Sequence, residues 1–302
     1  MGKRVLVGYG VDVDAVSGWL NTQDGSPANM TDISRGIFGA TVGIDRLLKL
    51  YAKYNIKATW FVPAHSLESF PAQIAKVRDA GHEIALHGYT HEFVANHSEQ
   101  SQREILETSI QVLTEFTGKK PKGWTAPAWS TSKESIKLLE EYGIEYDHSH
   151  MHHDAQLYYA PDGMQELIPT DTKKSPSSWM KPMSALKPSN VVVVPANWHL
   201  DDWPPFVLSL KQASTHGYVD TYSVEQTWKD VFTFMYQEYD SFVFPMSIHP
   251  QVSGKAQIML MQERIINWIN THEGVEWVTM ETMVKEFKEG RFAGATVEGG
   301  KP

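Results

Sequence analysis

The chain contains no cysteine. Disulfide bridges and thiolate metal ligands are therefore excluded, and the absence fits a reducing compartment. No apolar run is long enough to span a bilayer. No signal peptide is expected, because Met1-Gly2-Lys3-Arg4 leads directly into Val5-Leu6-Val7, which has the composition of a first core strand. We therefore expect a cytoplasmic protein.

Dense runs of lysine and arginine are absent too, and the formal net charge is -9. Nucleic acids and anionic membrane surfaces are bound through clustered positive charge, so neither is expected as a partner. The sequence has 302 residues, of which 41% are hydrophobic. It is long enough to bury a large core, as one α/β domain or as two smaller ones.

Short apolar, β-branched runs alternate along the chain with segments of helical periodicity. The helix expected over Glu99 to Thr117, for example, is followed by Gly118, a common stop signal. Alternating βα units imply a parallel sheet, and about seven to eight strands suggest a distorted (β/α) barrel. A doubly wound open sheet is the main alternative. Without a linker or repeat, residues 1–289 are expected to form one domain, followed by a flexible, glycine-rich tail over residues 290–302.

Polar side chains follow the ends of several expected strands. His87 and His91 lie four residues apart just after the run Glu83–Leu86. Two such histidines can converge on one metal ion, although a pair of surface loop histidines has the same spacing. Asp12 and Asp14 end the first strand at positions i and i+2, which share one face of a strand. Capping of a loop is the alternative role for these acids.

Later strands add further candidates. Trp198, Asp201 and Asp202 follow the β-branched run Val191 to Val194, and His249 ends the strand Phe242 to Ile248. Residues after the carboxyl ends of parallel strands gather on one face of a barrel, where barrel active sites lie. The order of the elements therefore places these side chains on the same face as the histidine pair.

A histidine-dense stretch follows the fifth expected strand. It comprises His148, His150, His152, His153 and the acid Asp154. A second metal site is one interpretation, but pocket lining or a solvated loop is favoured.

Three motifs together resemble those of the polysaccharide deacetylase (NodB-homology) family. They read Gly10-Val11-Asp12-Val13-Asp14, His87-Gly88-Tyr89-Thr90-His91 and Ser247-Ile248-His249-Pro250. The resemblance covers residues 3–288. It is strongest for the branch that includes a Helicobacter peptidoglycan deacetylase, cyclic imide hydrolases and cofactor-independent allantoinases.

The resemblance implies a role for each motif residue. Asp14, His87 and His91 match the metal-binding triad of the family, which usually holds one zinc ion. Asp12 matches the general base for the attacking water, and His249 matches the acid that protonates the leaving amine. The resemblance therefore implies one divalent metal ion as the cofactor, and Zn²⁺ is the favoured ion.

The third motif of the family departs from its usual Arg-x-Pro-Tyr form. Thr125 stands in place of the arginine and Ala128 in place of the tyrosine, with Trp129 next. The resemblance makes the backbone N–H of Ala128 an oxyanion donor. Trp129 and Trp198 are expected to shape the substrate pocket, although tryptophan is also a common core residue.

The fourth motif, Asp-x-x-Asp-Trp, is kept only at Asp202 and Trp203, because His199 occupies its first position. The sequence therefore does not decide which acid orients His249. The candidates are Asp147, Asp201 and Asp202.

These observations predict a metal-dependent hydrolase of non-peptide C–N bonds. A small cyclic imide or ureide, or a soluble N-acyl compound, is favoured, because an export signal is missing and the long segments 15–40 and 151–190 could enclose a small pocket. The alternative is N-deacetylation of peptidoglycan or chitin-type sugars. A non-catalytic carbohydrate-binding scaffold is disfavoured, since it has no use for the unligated acid Asp12 together with His249. Homo-oligomer formation is left open.

Overall fold

A computed structural model describes residues 2–22, 25–163, 167–209, 215 and 217–299. Within these ranges the strands are β1 (Arg4–Asp12), β2 (Thr59–Val62), β3 (Glu83–Leu86), β4 (Gly123–Trp124), β5 (Tyr146–Asp147), β6 (Tyr158–Asp162), β7 (Lys187–Val193), β8 (Ser241–Ile248) and β9 (Val275–Trp277).

The described α-helices alternate with these strands over most of the chain. They are α1 (Ser17–Leu20), α2 (Met30–Phe38), α3 (Ile44–Tyr54), α4 (Ala64–Ser69), α5 (Pro71–Asp79), α6 (Glu99–Thr117), α7 (Ser135–Glu141), α8 (Trp203–Phe206), α9 (Thr221–Glu238), α10 (Pro250–Ser253), α11 (Ala256–Ile269) and α12 (Met280–Lys288). A π-helical turn, Gly39–Gly43, joins α2 to α3. None of the described helices is both long and apolar enough to cross a membrane.

The strands form one curled sheet in the order β6-β7-β5-β4-β3-β2-β1-β8, with β9 added beside β1. Neighbouring strands are parallel except for the pair β6 and β7. The curl brings the inward side chains of distant strands into one cluster, which α12 covers with Met280 and Met283. This half-barrel confirms the distorted (β/α) barrel predicted from the alternating pattern.

Both faces of the sheet are covered, so the strands are apolar along most of their length. Inside the curl pack Leu6, Phe61, Ala85 and Val243, whereas a larger core fills the space between the outer face and the surrounding helices. After its first residue β1 is buried throughout. The sequence pattern thus reflects burial on two sides rather than one.

Strand β1 pairs with three strands, more than any other strand of the described sheet. Strand β8 pairs along one edge of it, from Arg4 with Ser241 to Val11 with Ile248. The other edge is divided, since β9 pairs with Val5 to Val7 and β2 pairs with Gly10 to Asp12. The carboxyl ends of β1, β2 and β8 therefore meet at one place.

Two segments differ from the expectation. The long segment 151–190, for which the sequence pattern indicated no strand, contains β6 and the start of β7, although residues 164–166 lie outside the described residues. The tail expected to be flexible lies against the sheet: Phe292 is buried, and the N–H of Ala295 donates to the carbonyl of Leu157. Burial of the Phe292 ring in the inner core offsets the high glycine content. Residues 300–302 lie outside the described residues.

Candidate metal centre and catalytic site

The chain turns sharply after β1, and this turn fixes Asp14. Ala15 adopts a left-handed conformation with φ 47°. The hydroxyls of Ser17 and Ser66 then donate to the carbonyl of Asp14 at 2.6 and 2.8 Å. Because its backbone is held on two sides, the carboxylate of Asp14 has a defined direction in a buried position.

The loop after β3 brings two histidines to the same place. Gly88 has φ 69°, and a Cβ added there would lie 2.7 Å from Glu92 Oε2. The Glu92 carboxylate accepts the backbone N–H groups of the two residues after Gly88, at 2.9 and 2.6 Å. This tight loop requires glycine, and it returns the chain so that His91 lies beside His87, with ring centroids 5.0 Å apart.

The predicted metal ligands come together. Asp14 Oδ1 lies 3.3 Å from His87 Nε2 and 3.6 Å from His91 Nε2. A tetrahedral zinc ion with bonds near 2.0–2.1 Å separates neighbouring ligand atoms by about 3.3 Å. Asp14 Oδ1 and His87 Nε2 are buried, and neither has a hydrogen-bond partner among the described residues. These donor atoms therefore fit one divalent cation, the group that a buried carboxylate and two imidazoles prefer.

Thr125, which stands where the family has arginine, contacts a candidate ligand through its backbone carbonyl. His87 Nδ1 donates to the carbonyl of Thr125 at 2.9 Å, which leaves Nε2 unprotonated in the neutral ring and directed at Asp14. The Thr125 hydroxyl donates to the carbonyl of His148 at 2.8 Å. Thr125 thus holds a candidate ligand in place, but it supplies no positive charge to Asp12.

Asp12 lies beside the candidate ligands, but it is farther from His87 than Asp14 is. Its Oδ2 is 3.8 Å from both His87 Nε2 and His249 Nε2. Its Oδ1 is buried and has no hydrogen-bond partner among the described residues. Burial raises the pKa of Asp12, although His87 and His249 oppose the rise. A raised pKa and a free oxygen suit a carboxylate that accepts a proton.

Asp202 is the acid that orients His249. The Nδ1–H of His249 donates to Asp202 Oδ1 at 2.7 Å, and the backbone N–H of His249 lies 3.0 to 3.1 Å from both carboxylate oxygens. Burial by itself would lower the pKa of His249, but the charge and hydrogen bond of Asp202 raise it well above its ordinary value. The ring of Trp203 packs on the imidazole at 4.9 Å.

The other two candidate acids have different partners. Asp201 Oδ1 is 3.7 Å from His249 Nδ1 and accepts the backbone N–H of Trp203 at 2.8 Å, while burial raises the pKa of Asp201 to about 8. Asp147 accepts a hydrogen bond from His150 Nδ1 at 2.7 Å. The sequence left these acids equivalent, and their hydrogen bonds separate them.

The two tryptophans expected to shape the pocket contact each other, and Trp129 also contacts His148, with ring centroids 6.1 Å apart. Trp129 and Trp198 are in edge contact, with ring centroids 4.5 Å apart, and Trp198 is 46% exposed. Ala128 and Trp129 both adopt left-handed conformations, with φ 51° and 48°. Two successive residues without glycine in this region indicate backbone strain, which is often found at functional sites.

The histidine-dense stretch forms hydrogen bonds within the protein. His148 Nδ1 lies 2.9 Å from the carbonyl of Val194, and its Nε2 lies 3.0 Å from Ser247 Oγ. His153 Nδ1 accepts three backbone N–H groups. His148 thus uses both ring nitrogens, and among the described residues no group from this stretch is arranged to hold a metal ion, which favours a structural role for the stretch.

Two residues of the site were not anticipated. Gln251 Nε2 donates to Asp14 Oδ2 at 3.0 Å, and Ser253 Oγ donates to Asp202 Oδ2 at 2.6 Å. Both lie in α10, immediately after His249, and both are buried. The sequence could have indicated them only as two uncharged polar residues directly after the His249 motif.

Comparison with known proteins is consistent with this geometry. A profile of the family described as Polysaccharide deacetylase matches residues 38–146. A peptidoglycan deacetylase of Helicobacter pylori is 43% identical over 287 residues, which are 95% of this chain and 97% of the relative.

Solved structures share the fold over nearly the whole chain. The structure titled as a polysaccharide deacetylase of Mycobacterium smegmatis superposes with a TM-score of 0.80 at 25% identity, covering 100% of this chain and 96% of the other. PuuE allantoinase superposes with a TM-score of 0.76 at 22% identity, covering 96% and 93%. The chain belongs to the polysaccharide deacetylase family.

Proposed function

We propose that the chain is a metal-dependent hydrolase that cleaves a non-peptide C–N amide bond, with one catalytic domain over residues 1–289. The observation that carries the proposal is a set of facing, buried atoms that have no hydrogen-bond partner among the described residues. They are Asp14 Oδ1 and His87 Nε2, with Asp12 Oδ1 beside them. A structural metal site would have no need for that acid.

Asp14, His87 and His91 would hold the ion, with His87 kept in the binding tautomer by the carbonyl of Thr125. A divalent ion bound by three protein ligands lowers the pKa of a water molecule and polarises a carbonyl oxygen. Gln251 holds one oxygen of Asp14 and leaves the other for the ion.

Asp12 is the proposed general base. Its free Oδ1 can accept the proton of the attacking water as that water adds to the amide carbon. The oxygen that gains negative charge needs a donor, and the exposed N–H at the strained Ala128 is the proposed group.

His249 is the proposed general acid. Asp202 binds its Nδ1–H, so Nε2 faces Asp12 and Asp14 at 3.8 and 3.9 Å. Nε2–H then donates its proton to the nitrogen while the C–N bond breaks, which converts a poor leaving group into a neutral amine or amide. The raised pKa of His249 keeps it protonated before the reaction.

A compact substrate is favoured by the depth of the site. Asp12, Asp14, His87 and His249 are all buried. A cyclic imide or ureide, or a small N-acyl compound, presents its reacting carbonyl on a narrow body. A bulky polymer must instead bring its acyl group down to these buried atoms.

An N-acetyl sugar is the second candidate. The Helicobacter relative, at 43% identity, is named for peptidoglycan deacetylation. The acetyl group of such a sugar is itself small and projects from the ring, so it could enter the site while the glycan stays outside.

The test is a hydrolysis screen of the metal-loaded protein on succinimide-like rings, allantoin, N-acetylglucosamine oligomers and peptidoglycan fragments. His249→Ala and Asp12→Asn serve as inactive controls, and His97→Ala, outside the site, should retain wild-type turnover. We expect turnover of the rings. Turnover of glycans alone would overturn the preference for compact substrates, and equal rates in wild type and both site variants would overturn the hydrolase itself.

A further inference from the structure

We propose that Ser253, Gln262 and Tyr9 are positioning residues for the His249–Asp202 pair. They form one chain of hydrogen bonds that leads from Asp202 through the protein interior to β1. The proposal rests on the acid role of His249 given above, and it concerns residues that touch neither a substrate nor the candidate metal ligands.

The chain of contacts is continuous and buried. Tyr9 Oη donates to Gln262 Oε1 at 3.0 Å, and Gln262 Nε2 donates to Ser253 Oγ at 3.1 Å. Ser253 Oγ then donates to Asp202 Oδ2 at 2.6 Å. These four side chains are fully buried, with exposures of 0%. Water therefore cannot replace a missing partner without entering the core.

The donor and acceptor properties of these groups fix the direction of every hydrogen bond, from Tyr9 towards Asp202. The amide N–H of Gln262 can only donate, so Ser253 Oγ accepts from it and has a single proton left, which goes to Asp202. At the other end, burial raises the pKa of Tyr9, so its phenol keeps the proton that Gln262 Oε1 accepts. Each donor thereby polarises the next bond towards the carboxylate.

This arrangement divides the two oxygens of Asp202 between two tasks. Oδ1 accepts from the ring of His249 at 2.7 Å, while Oδ2 accepts from Ser253. The Ser253 hydroxyl, together with the backbone N–H of His249 near both oxygens, restrains rotation of the carboxylate about its Cβ–Cγ bond. Loss of the Ser253 hydroxyl would weaken this restraint, and Nε2 of His249 would point less steadily at Asp12.

The support comes from three separate elements. Tyr9 lies on β1, Ser253 on α10 and Gln262 on α11, and Tyr9 is further fixed by stacking on Trp277 at 5.6 Å. Side chains on strands and helices hold a partner more accurately than side chains on loops. These hydrogen bonds therefore connect Asp202 to β1, a strand that is held by three neighbouring strands.

Tyr51 provides a matched control. Its ring lies 5.3 Å from that of Tyr9, and its hydroxyl is equally buried but has no hydrogen-bond partner among the described residues. Tyr9→Phe removes a link of the chain, whereas Tyr51→Phe removes a neighbouring hydroxyl that is not part of it. The two variants make the same chemical change in the same core.

The experiment compares Ser253→Ala, Tyr9→Phe and Tyr51→Phe in the full-length protein. On the substrate found in the screen, Ser253→Ala should lower kcat about tenfold, with little change in KM. A tenfold loss corresponds to an activation free energy higher by about 1.4 kcal/mol. Tyr9→Phe should lower kcat less, and Tyr51→Phe should match the wild type. Metal content should be equal in all of them.

A second readout does not depend on turnover. The Nδ1–H of His249 should give a low-field proton NMR signal that Asp202→Asn removes. In Ser253→Ala and Tyr9→Phe this proton should shift and exchange faster with water, and in Tyr51→Phe it should not. An unaltered signal in the first two variants overturns the positioning role even where His249 is the acid. Wild-type kcat in His249→Ala would instead show that the acid role itself is wrong.

Discussion

At the scale of single residues, the two oxygens of Asp14 have different surroundings. Oδ2 accepts the amide N–H of Gln251, whereas Oδ1 faces the two histidines and has no hydrogen-bond partner among the described residues. Outer-shell hydrogen bonds of this kind orient a ligand and increase its affinity for metal. The binding strength of the site should therefore depend on a residue outside the candidate triad.

Gln251→Ala should weaken metal binding by about 10- to 100-fold, the range found when an outer-shell partner is removed. The measurement is a competition titration with a chelator, which needs no substrate. Gln156→Ala is the matched control, because Gln156 is also buried and bonds a distant carbonyl, that of Ser241 at 2.6 Å. Equal affinities in the two variants would contradict the role given to Gln251.

The neighbouring acids should be separable by substitution. Asp12→Asn should retain the metal and lose about 10²- to 10⁴-fold in kcat, since it removes the proton acceptor. Asp14→Asn should lose metal first, because it weakens a ligand. Metal analysis and steady-state kinetics of both proteins decide the matter, and a reversed pattern would exchange the two roles.

Sequence reasoning named the charged and imidazole groups of the site, because these residue types are rare in apolar surroundings and their spacing follows strand ends. It did not name Gln251 or Ser253, since uncharged polar side chains occur everywhere on protein surfaces. It also left Asp201 and Asp202 equivalent. Adjacent residues point in different directions, and only the backbone path decides which of them reaches His249.

At the scale of elements, a glycine face lets one helix approach both catalytic loops. It consists of Gly36, Gly39 and Gly43, which run from α2 through the π-helical turn. An added Cβ would lie 2.2 Å from the carbonyl oxygen of Ala15 at Gly36 and 2.3 Å from that of Pro250 at Gly43. These contacts bring the turn after Asp14 and the start of α10 against the same helix.

Gly43→Ala should therefore destabilise the fold by about 1–3 kcal/mol, because α10 must move to accept the methyl group. Val42→Ala is the control in the same turn: Val42 is 40% exposed, and its truncation should cost less than about 0.5 kcal/mol. Urea unfolding of both variants gives the comparison. Equal midpoints would show that the close approach is not needed.

Periodicity predicted the long elements well and the short ones poorly. Helix α6 has the bounds expected from its apolar spacing and its terminal glycine. Strand β6 was missed because it is an antiparallel strand in a segment rich in proline and polar residues. The π-helical turn was also missed, since one extra residue in a helical turn leaves the pattern of apolar positions nearly unchanged.

At the scale of the whole molecule, acid should destabilise the fold partly through His82. Its Nδ1 accepts the backbone N–H of Ala58 at 3.1 Å, which requires an unprotonated nitrogen. Burial lowers the pKa of His82 to about 4. Between pH 6.5 and 4 the unfolded chain takes up a proton at this site that the folded chain does not, so stability falls as the pH falls through that window.

The expected result is a drop in the free energy of unfolding from pH 7 to pH 5 that is smaller in His82→Gln than in wild type. Urea unfolding at both pH values measures it. His65→Gln, with a partly exposed ring beside Ser69, should keep the wild-type pH dependence. The same drop in all three proteins would assign the acid sensitivity to other groups.

The pairing of β1 with the late strand β8 has a consequence for biosynthesis. Asp14 and its partner Gln251 are 237 residues apart in sequence, and β1 pairs with β8 along its whole length. A nascent chain on the ribosome therefore exposes the first acids long before the strand that completes their surroundings has been translated. Such distant pairing slows folding. Translation that stops before β8 would yield a polypeptide with every candidate metal ligand but without His249, the proposed proton donor, so the proposed activity would require synthesis beyond that residue.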